Sequence, residues 1–212
     1  LTAGAKLTGM VKNIEFNTQD NQKLTMGDVT FYVNILKDGT AAVTYHLAEG
    51  WNWMSVNLDM DELRSARSFI SPFKGSVMRM QSQTRELVND GVFGIVGNLE
   101  TLSPAEGYRI QLSGAVGQQW NGAAFVPADT PVMLYKGWNW IGYVPMVELS
   151  AQTALANLEA TEGDRLVYFE GFAEFDGEKW EPDITMKPGM GYMYKSAKDV
   201  SFAYSTATSE PA

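Results

Sequence analysis

Five acidic residues surround one tryptophan near the end of the chain, and these side chains are the best suited to chemistry. They are Glu174, Asp176, Glu178, Glu181 and Asp183, around Trp180. Two carboxylates beside an aromatic platform can form a glycoside hydrolase pair, and carboxylate oxygens also bind Ca²⁺. The corresponding segment 86–93 lacks most of these acids. We therefore favour a solvated hairpin tip, and we predict no catalytic residue, no metal site and no cofactor.

Two tryptophans are candidate ligand-binding residues because they flank predicted hairpin turns. Indole faces stack on pyranose rings, so Trp120 and Trp180, with Asp176 and Glu178 nearby, are the residues that a carbohydrate or a protein partner would use. The simpler interpretation is that each indole covers an edge of the core. Both interpretations stay open at the level of sequence.

Other short motifs give little support to catalysis. His46 is the single histidine of the chain and lies in a predicted strand, so a structural role is favoured over a triad or a metal ligand. Ser71 and Lys74 have the Ser-x-x-Lys spacing of penicillin-recognising enzymes, but the partner motifs of that chemistry do not occur in the sequence. The glycines at 189 and 191 lack the third glycine of a dinucleotide fingerprint.

The overall composition excludes several classes of protein. The chain has 212 residues, of which 45% are hydrophobic, and this is enough for a substantial core. A net charge of −9 argues against nucleic acid as a partner, because phosphate binding needs a positive surface. The absence of cysteine excludes disulfides and thiol catalysis. No apolar run reaches the length of about 20 residues that a membrane helix needs, so we predict no membrane insertion.

The elements that position these residues come from an internal repeat. The tetrapeptide Gly-Trp-Asn-Trp occurs at residues 50–53 and again at 137–140, and Asp-Gly and Pro-x-x-Gly-Tyr motifs follow each copy in the same order. A repeated order of rare residues indicates one structural unit built twice. We name residues 29–113 the first repeat and residues 114–205 the second repeat. Residues 1–28 are predicted to add one or two strands, and residues 206–212 are predicted to form a flexible tail.

The predicted fold class is mainly β (α+β by strict count). Each repeat is read as a β-hairpin, a Trp strand, a short helix, a second β-hairpin and a Gly-Tyr strand, and the two copies are expected to pack as a pseudo-symmetric pair. Turns are predicted at Asp38-Gly39 and at Asn121-Gly122. Helices are predicted after a capping box at Asp59–Glu62 and after an N-cap at Ser150.

The four tryptophans of the tetrapeptides, Trp51, Trp53, Trp138 and Trp140, are predicted to pack in the core. Apolar residues on both faces of residues 51–58 favour a central strand that is covered on each side. Tyr108, Ile110 and Leu112 alternate with polar residues, as on a half-buried strand, and Tyr192 and Tyr194 repeat that pattern.

This combination of motifs resembles a tandem repeat that is common in large exported surface proteins of Bacteroidetes. The resemblance rests on Gly50–Trp53 with Pro104–Tyr108, and on Gly137–Trp140 with Pro188–Tyr192. It covers residues 40–204 and implies export and a non-catalytic role at the cell surface, often beside β-sandwich modules. It implies no ligand and no catalytic residue.

Three functions follow as hypotheses. The first is a non-catalytic module of an exported bacterial protein that acts in adhesion or assembly, with a glycan or a surface protein as partner. The second is a carbohydrate-binding module that uses Trp120 and Trp180. The third, which the sequence favours least, is a glycoside hydrolase that uses the acidic cluster.

Overall fold

The chain divides into two units, residues 1–40 and residues 41–212. A computed structural model describes residues 6–11, 14–17, 23–26, 29–34 and 40–205. The first unit contains four strands: β1 (Lys6–Val11), β2 (Ile14–Asn17), β3 (Lys23–Met26) and β4 (Val29–Asn34). They form two antiparallel pairs, β1 with β4 and β2 with β3. One or two strands are predicted before residue 29, and the described residues of that segment form three. The predicted Asp38-Gly39 turn lies outside the described residues.

The second unit begins with the elements of the first repeat. In chain order these are β5 (Thr40–Leu47), β6 (Gly50–Met54), β7 (Leu58–Asp59), α1 (Asp61–Arg64), α2 (Ala66–Ile70), a 3₁₀ helix (Ser71–Ser76), β8 (Val77–Gln81), β9 (Glu86–Asn89), β10 (Ile95–Gly97) and β11 (Tyr108–Leu112). The next strand, β12 (Val116–Ala124), is the first element of the second repeat.

The remaining elements of the second repeat complete the unit. They are a 3₁₀ helix (Pro127–Asp129), β13 (Val132–Leu134), β14 (Gly137–Gly142), β15 (Leu149–Ser150), α3 (Ala151–Ala154), β16 (Arg165–Tyr168), β17 (Gly171–Phe175), β18 (Trp180–Glu181), β19 (Thr185–Met186), β20 (Gly191–Ser196) and β21 (Val200–Phe202). The protein is mainly β, as the sequence predicts. None of the helices in the described part of the chain has the length and apolar character to cross a membrane.

Two five-stranded sheets carry the fold, one in each repeat. Their strand orders are β10-β9-β8-β11-β6 and β18-β17-β16-β20-β14. In both sheets the Trp strand (β6 or β14) lies at one end, next to the Gly-Tyr strand (β11 or β20). The prediction of a central Trp strand is wrong, because β6 and β14 each lie at the end of a sheet. The apolar residues that suggested a covered strand, such as Met54 and Ile141, pack into the core of their own repeat.

Each five-stranded sheet covers its own hydrophobic core. The first core contains Met54, Phe69, Met80 and Tyr108, and the second contains Ile141, Leu166 and Tyr194 among others. The alternation predicted for the Gly-Tyr strands is confirmed, since Tyr108, Ile110 and Leu112 are all buried, as are Tyr192 and Tyr194. Burial of these side chains is the main favourable term that holds each sheet in place.

Some local predictions are wrong because tertiary contacts override them. Asn121-Gly122 forms no turn, since β12 runs straight through it and pairs with β5 on one side and β7 on the other. Asp59 caps no helix, because its carboxylate accepts hydrogen bonds from the Arg64 guanidinium and α1 begins at Asp61 without a side-chain cap. The Ser150 N-cap is confirmed, with its hydroxyl accepting from the Thr153 N–H at 3.2 Å.

Candidate functional site

Trp180 is buried and offers no binding platform. Its side chain is only 2% exposed. The indole packs against the ring of Phe175 at 5.4 Å and against the ring of Tyr194 at 5.7 Å. The sequence allows Trp180 either to bind a ligand or to cover the core, and the structure places it in the second core.

Trp120 lies on β12 and is half-buried against the first core, whereas Trp180 belongs to the second core. Its indole Nε1 is buried and has no hydrogen-bond partner. The structure therefore does not join Trp120 to Trp180 in one site. It gives Trp120 mainly a packing role.

Asp176 and Glu178 lie at the tip of the β17–β18 hairpin, where the sequence predicts them. A carboxylate oxygen of Asp176 accepts hydrogen bonds from the N–H groups of Glu178 and Lys179, at 2.9 and 2.8 Å. These N–H groups lower the pKa of Asp176 below its usual value. Asp176 thus holds the turn closed, and Glu178 is an exposed residue within it.

The other acids of this region also have structural partners. Glu174 pairs with Arg165 at 2.6 Å, and Glu181 pairs with Lys179 at 3.0 Å. Asp183 accepts a hydrogen bond from the N–H of Gln152. Within the described residues, no group of three or more His, Asp or Glu side chains could hold a metal ion. The arrangement of these acids is that of a solvated hairpin.

The tetrapeptide tryptophans are only partly packed, and the prediction of core packing is wrong for two of them. Trp51 is 37% exposed and Trp138 is 44% exposed, whereas Trp53 and Trp140 are half-buried. The first core receives Met54 from this strand, and the second receives Ile141. Strand alternation then directs the indoles away from the core.

The glycine and asparagine of the tetrapeptide explain why the motif is repeated. Gly50 and Gly137 have φ values of 88° and 103°, in the region that favours glycine. The Asn52 side chain accepts from the Ala48 N–H and donates to the Ala48 carbonyl, both at 2.8 Å. Asn139 does the same with Tyr135, at 2.8 and 2.7 Å. The motif therefore fixes the tight turn that leads into each Trp strand.

One arginine lies between the two inner tryptophans. The guanidinium of Arg109, on β11, is 4.5 Å from the ring centre of Trp53 and 4.4 Å from that of Trp140. Burial lowers the pKa of Arg109. Trp53 belongs to the first repeat and Trp140 to the second, so this stack joins the two repeats through cation–π attraction.

Trp51, the first tryptophan of the first repeat's tetrapeptide, lines an open groove of about 740 Å³, which we name the aromatic groove. Its aromatic surfaces come from Trp51 and Trp53 on β6 and from Tyr168 and Phe169 at the β16–β17 turn. The ring of Phe169, which is 57% exposed, meets the ring of Trp53 edge-on at 6.4 Å. The groove thus lies between the two repeats and is built by both.

Polar side chains form the rim of the aromatic groove. His46 is exposed on β5, and Glu49, Glu170 and Lys187 also line the groove. Lys187 faces Glu148 at 3.9 Å. Glu49 and Glu170 form no ion pair with any residue in the range 40–205. The groove combines exposed rings with unpaired carboxylates, which suits a ligand with apolar and cationic or hydrogen-bonding groups.

Sequence reasoning misses this groove for an identifiable reason. In the stretch 165–175, the turn residues Phe169 and Glu170 are not typical of turns, and Gly171 after them is a weak signal. The structure breaks that stretch into β16 and β17, and the break exposes Phe169. The repeated tetrapeptide marks Trp51 as important, but repetition is equally consistent with a binding residue and with a core residue.

Comparison with protein-family models, with curated proteins and with solved structures finds no match to this chain. The resemblance to exported repeats therefore stays a prediction.

Proposed function

We propose that this chain is a non-catalytic binding module of an exported bacterial protein, which acts in adhesion or assembly at the cell surface with the aromatic groove as its ligand-binding face. The observation that carries this proposal is the groove itself. The rings of Phe169 and Trp51 stay exposed along the same groove rather than being buried in a core. Clustered exposed aromatic side chains are typical of binding surfaces. Export and the bacterial cell surface come from the sequence resemblance.

The proposal includes a pseudo-symmetric pair of repeats, supported by reciprocal contacts. Gly107, beside the Gly-Tyr strand of the first repeat, lies so close to Ile141 that an added Cβ would be 2.7 Å from the Ile141 carbonyl oxygen. Gly191, at the same point of the second repeat, lies in the same way against Met54, at 2.5 Å. Exchange of equivalent contacts in both directions is what a twofold relation requires.

A rigid junction follows from these contacts and would suit an adhesive module. The side chain of Asn57 crosses from the first repeat to the second, donating to the carbonyl of Val144 at 3.2 Å and accepting from the N–H of Gly189 at 2.7 Å. Asn57 is fully buried. A buried, fully bonded amide holds the two repeats in one arrangement, so the groove between them is preorganised for its ligand.

The proposal that the module is non-catalytic is supported by the partners of the acidic residues around Trp180, most of which are held in hydrogen bonds or ion pairs. Asp176 and Asp183 accept backbone hydrogen bonds, and Glu174 and Glu181 pair with cations. None of these acids lines the aromatic groove.

The test is an adhesion assay with matched variants. Beads coated with the chain are passed over immobilised polysaccharides and over envelope fractions of bacteria, and the retained fraction is counted. We expect retention on at least one surface, and an at least tenfold loss with Trp51→Ala. Trp138→Ala is the control, because Trp138 has similar exposure but lies outside the groove. Equal retention for both variants, or turnover of a polysaccharide, would contradict the proposal.

A second candidate function, carbohydrate binding, is favoured by the indole face of Trp51 beside the polar rim of the groove. It differs from the sequence hypothesis in its residues, since Trp180 is buried. A glycan array tests it directly. Binding that disappears with Trp51→Ala and persists with Trp120→Ala supports this candidate.

A further inference from the structure

The outer edges of the two Trp strands differ at equivalent positions. In the second repeat, the side-chain amide of Gln83 reaches the edge of β14. It donates to the carbonyl of Trp138 at 2.8 Å and accepts from the N–H of Trp140 at 3.0 Å. The edge of β14 is thus occupied by an amide that belongs to the chain itself.

The edge of β6 has no such occupant. β6 pairs with β11 in the register that β14 has with β20, since Trp53 faces Arg109 and Trp140 faces Met193. The outward groups of β6 are therefore the Trp51 carbonyl and the Trp53 N–H. None of residues 40–205 provides a side-chain hydrogen bond to these two groups.

The residue that takes the place of Gln83 is Phe169. Pairing to the Gly-Tyr strands aligns Gln81 with Val167, because Gln81 faces Arg109 and Val167 faces Met193. Gln83 lies two residues after Gln81, and Phe169 lies two residues after Val167. Phe169 contacts the ring of Trp53 but has no group that can bond a strand edge.

We propose that the aromatic groove binds an extended peptide, which adds to β6 as a short parallel strand. This inference rests on the proposed function and names the ligand class of the same site. One peptide residue opposite Asn52 donates its N–H to the Trp51 carbonyl and accepts from the Trp53 N–H, as the Gln83 amide does on β14. An extended residue carries both groups on one side, and exposed strand edges recruit peptides in this way.

The rest of the groove determines which peptide fits. Ser55, further along the chain, already donates its N–H to the Gly189 carbonyl at 2.9 Å, so only a short stretch of edge is open. Side chains must therefore supply much of the affinity. Trp51 and Phe169 provide apolar contacts for alternate peptide residues. The unpaired Glu49 and Glu170 on the rim complement a flanking Lys or Arg.

Acetylated amino sugars fit this edge less well than a peptide. The amide of an N-acetyl group is trans, so its N–H and C=O point to opposite sides. Such a group reaches the Trp51 carbonyl or the Trp53 N–H but not both. Glycan binding in the groove is retained as an outcome of the test.

The experiment uses a library of N-acetylated, C-amidated hexapeptides in which four alternating apolar and polar residues are flanked by lysines. Binding to the whole chain is followed by tryptophan fluorescence. The tightest peptide is then remade with single backbone N-methyl groups. We expect one N-methyl position to weaken binding at least tenfold, and we expect the bound peptide to slow hydrogen exchange of the Trp53 amide.

A matched variant sharpens the result. Phe169→Gln places an amide where Gln83 stands in the other repeat, so it is expected to close the edge and weaken peptide binding at least tenfold. Trp138→Ala is expected to leave binding unchanged. The N-methyl series needs no variant, so it remains decisive if Phe169→Gln does not fold.

The outcomes separate the two proposals. If no backbone position is sensitive to N-methylation, or if glycans bind the groove and library peptides do not, strand addition is wrong and the binding module stands. If neither peptides nor glycans nor envelope fractions bind, both proposals fail.

Discussion

The two Trp strands share a tetrapeptide, an asparagine-fixed turn and a register, yet they end in different surroundings. The edge of β14 is closed by Gln83, whereas the edge of β6 opens onto a groove beside Phe169. The repeated residues therefore set the backbone, and the hairpin tips outside the motif differ. Gln83 lies in the loop 82–85, whereas Phe169 lies in the shorter turn 169–170. The proposed binding function depends on this difference between the two strand edges.

The largest expected loss of stability comes from removing Asn57, whose side chain bonds across to the second repeat. Asn57 aligns with Val144 in the second repeat, so at this position only the first repeat has a side-chain amide. Asn57→Ala leaves the Gly189 N–H and buried carbonyls without partners, and we expect a loss of about 3 kcal/mol in the free energy of unfolding. Urea unfolding measures it. Asn121→Ala, on an exposed position of β12, is the control, and a loss below about 1 kcal/mol for Asn57→Ala would be inconsistent with an inter-repeat role.

The reciprocal glycine contacts should respond alike if the repeats are related by a twofold axis. Gly107→Ala and Gly191→Ala each place a Cβ against backbone of the other repeat. We expect each to cost about 1–3 kcal/mol, as overpacking does. Gly117→Ala is the control, because no atom lies within 4 Å of the place that its new Cβ would occupy. Strongly unequal costs for Gly107 and Gly191 would break the proposed symmetry.

Arg109 provides a third comparison, since the equivalent residue of the second repeat is Met193. Arg109→Met makes the two positions alike and removes the cation from between Trp53 and Trp140. We expect a loss of about 1–2 kcal/mol, because a guanidinium between two rings contributes on this scale. Thermal or urea unfolding checks it against Arg79→Met, which removes only an exposed ion pair. Equal effects of the two substitutions would show that the stack contributes nothing beyond a surface charge.

The smallest expected effect tests the difference between the edges directly. In the unaltered protein we expect the Trp140 amide, which donates to Gln83, to exchange with deuterium at least tenfold more slowly than the Trp53 amide. Gln83→Ala should remove this difference and cost about 1 kcal/mol. Exchange is followed by NMR. Equal protection of the two amides before substitution would mean that the β6 edge is not free.

Sequence reasoning succeeds where a local rule and the fold agree. The alternation of Tyr108, Ile110 and Leu112 predicts a half-buried strand, and the hydroxyl of Ser150 caps α3 as its type predicts. The turn at Asp176-Gly177 also forms, because the Asp176 carboxylate accepts two backbone N–H bonds and Gly177 takes a positive φ of 104°.

The candidate site depends on long-range contacts that no local pattern contains. Alternation alone shows that a strand has two faces but not which face meets a core, so the prediction places Trp51 and Trp138 on the wrong one. The hairpin tips that carry Gln83 and Phe169 lack strong turn residues. Each tip contacts the Trp strand of the other repeat, and this contact depends on packing between residues that are far apart in the chain.

The path of β12 has a consequence for how such a protein can be divided. This strand follows the first repeat in sequence, yet it pairs with β5 and β7, and its Val116 and Trp120 pack against the first core. A cut at residue 113 would strip one hydrophobic interior of its cover and leave those side chains bare on the other fragment. A fragment that keeps the first core intact must therefore extend through β12, to residue 124.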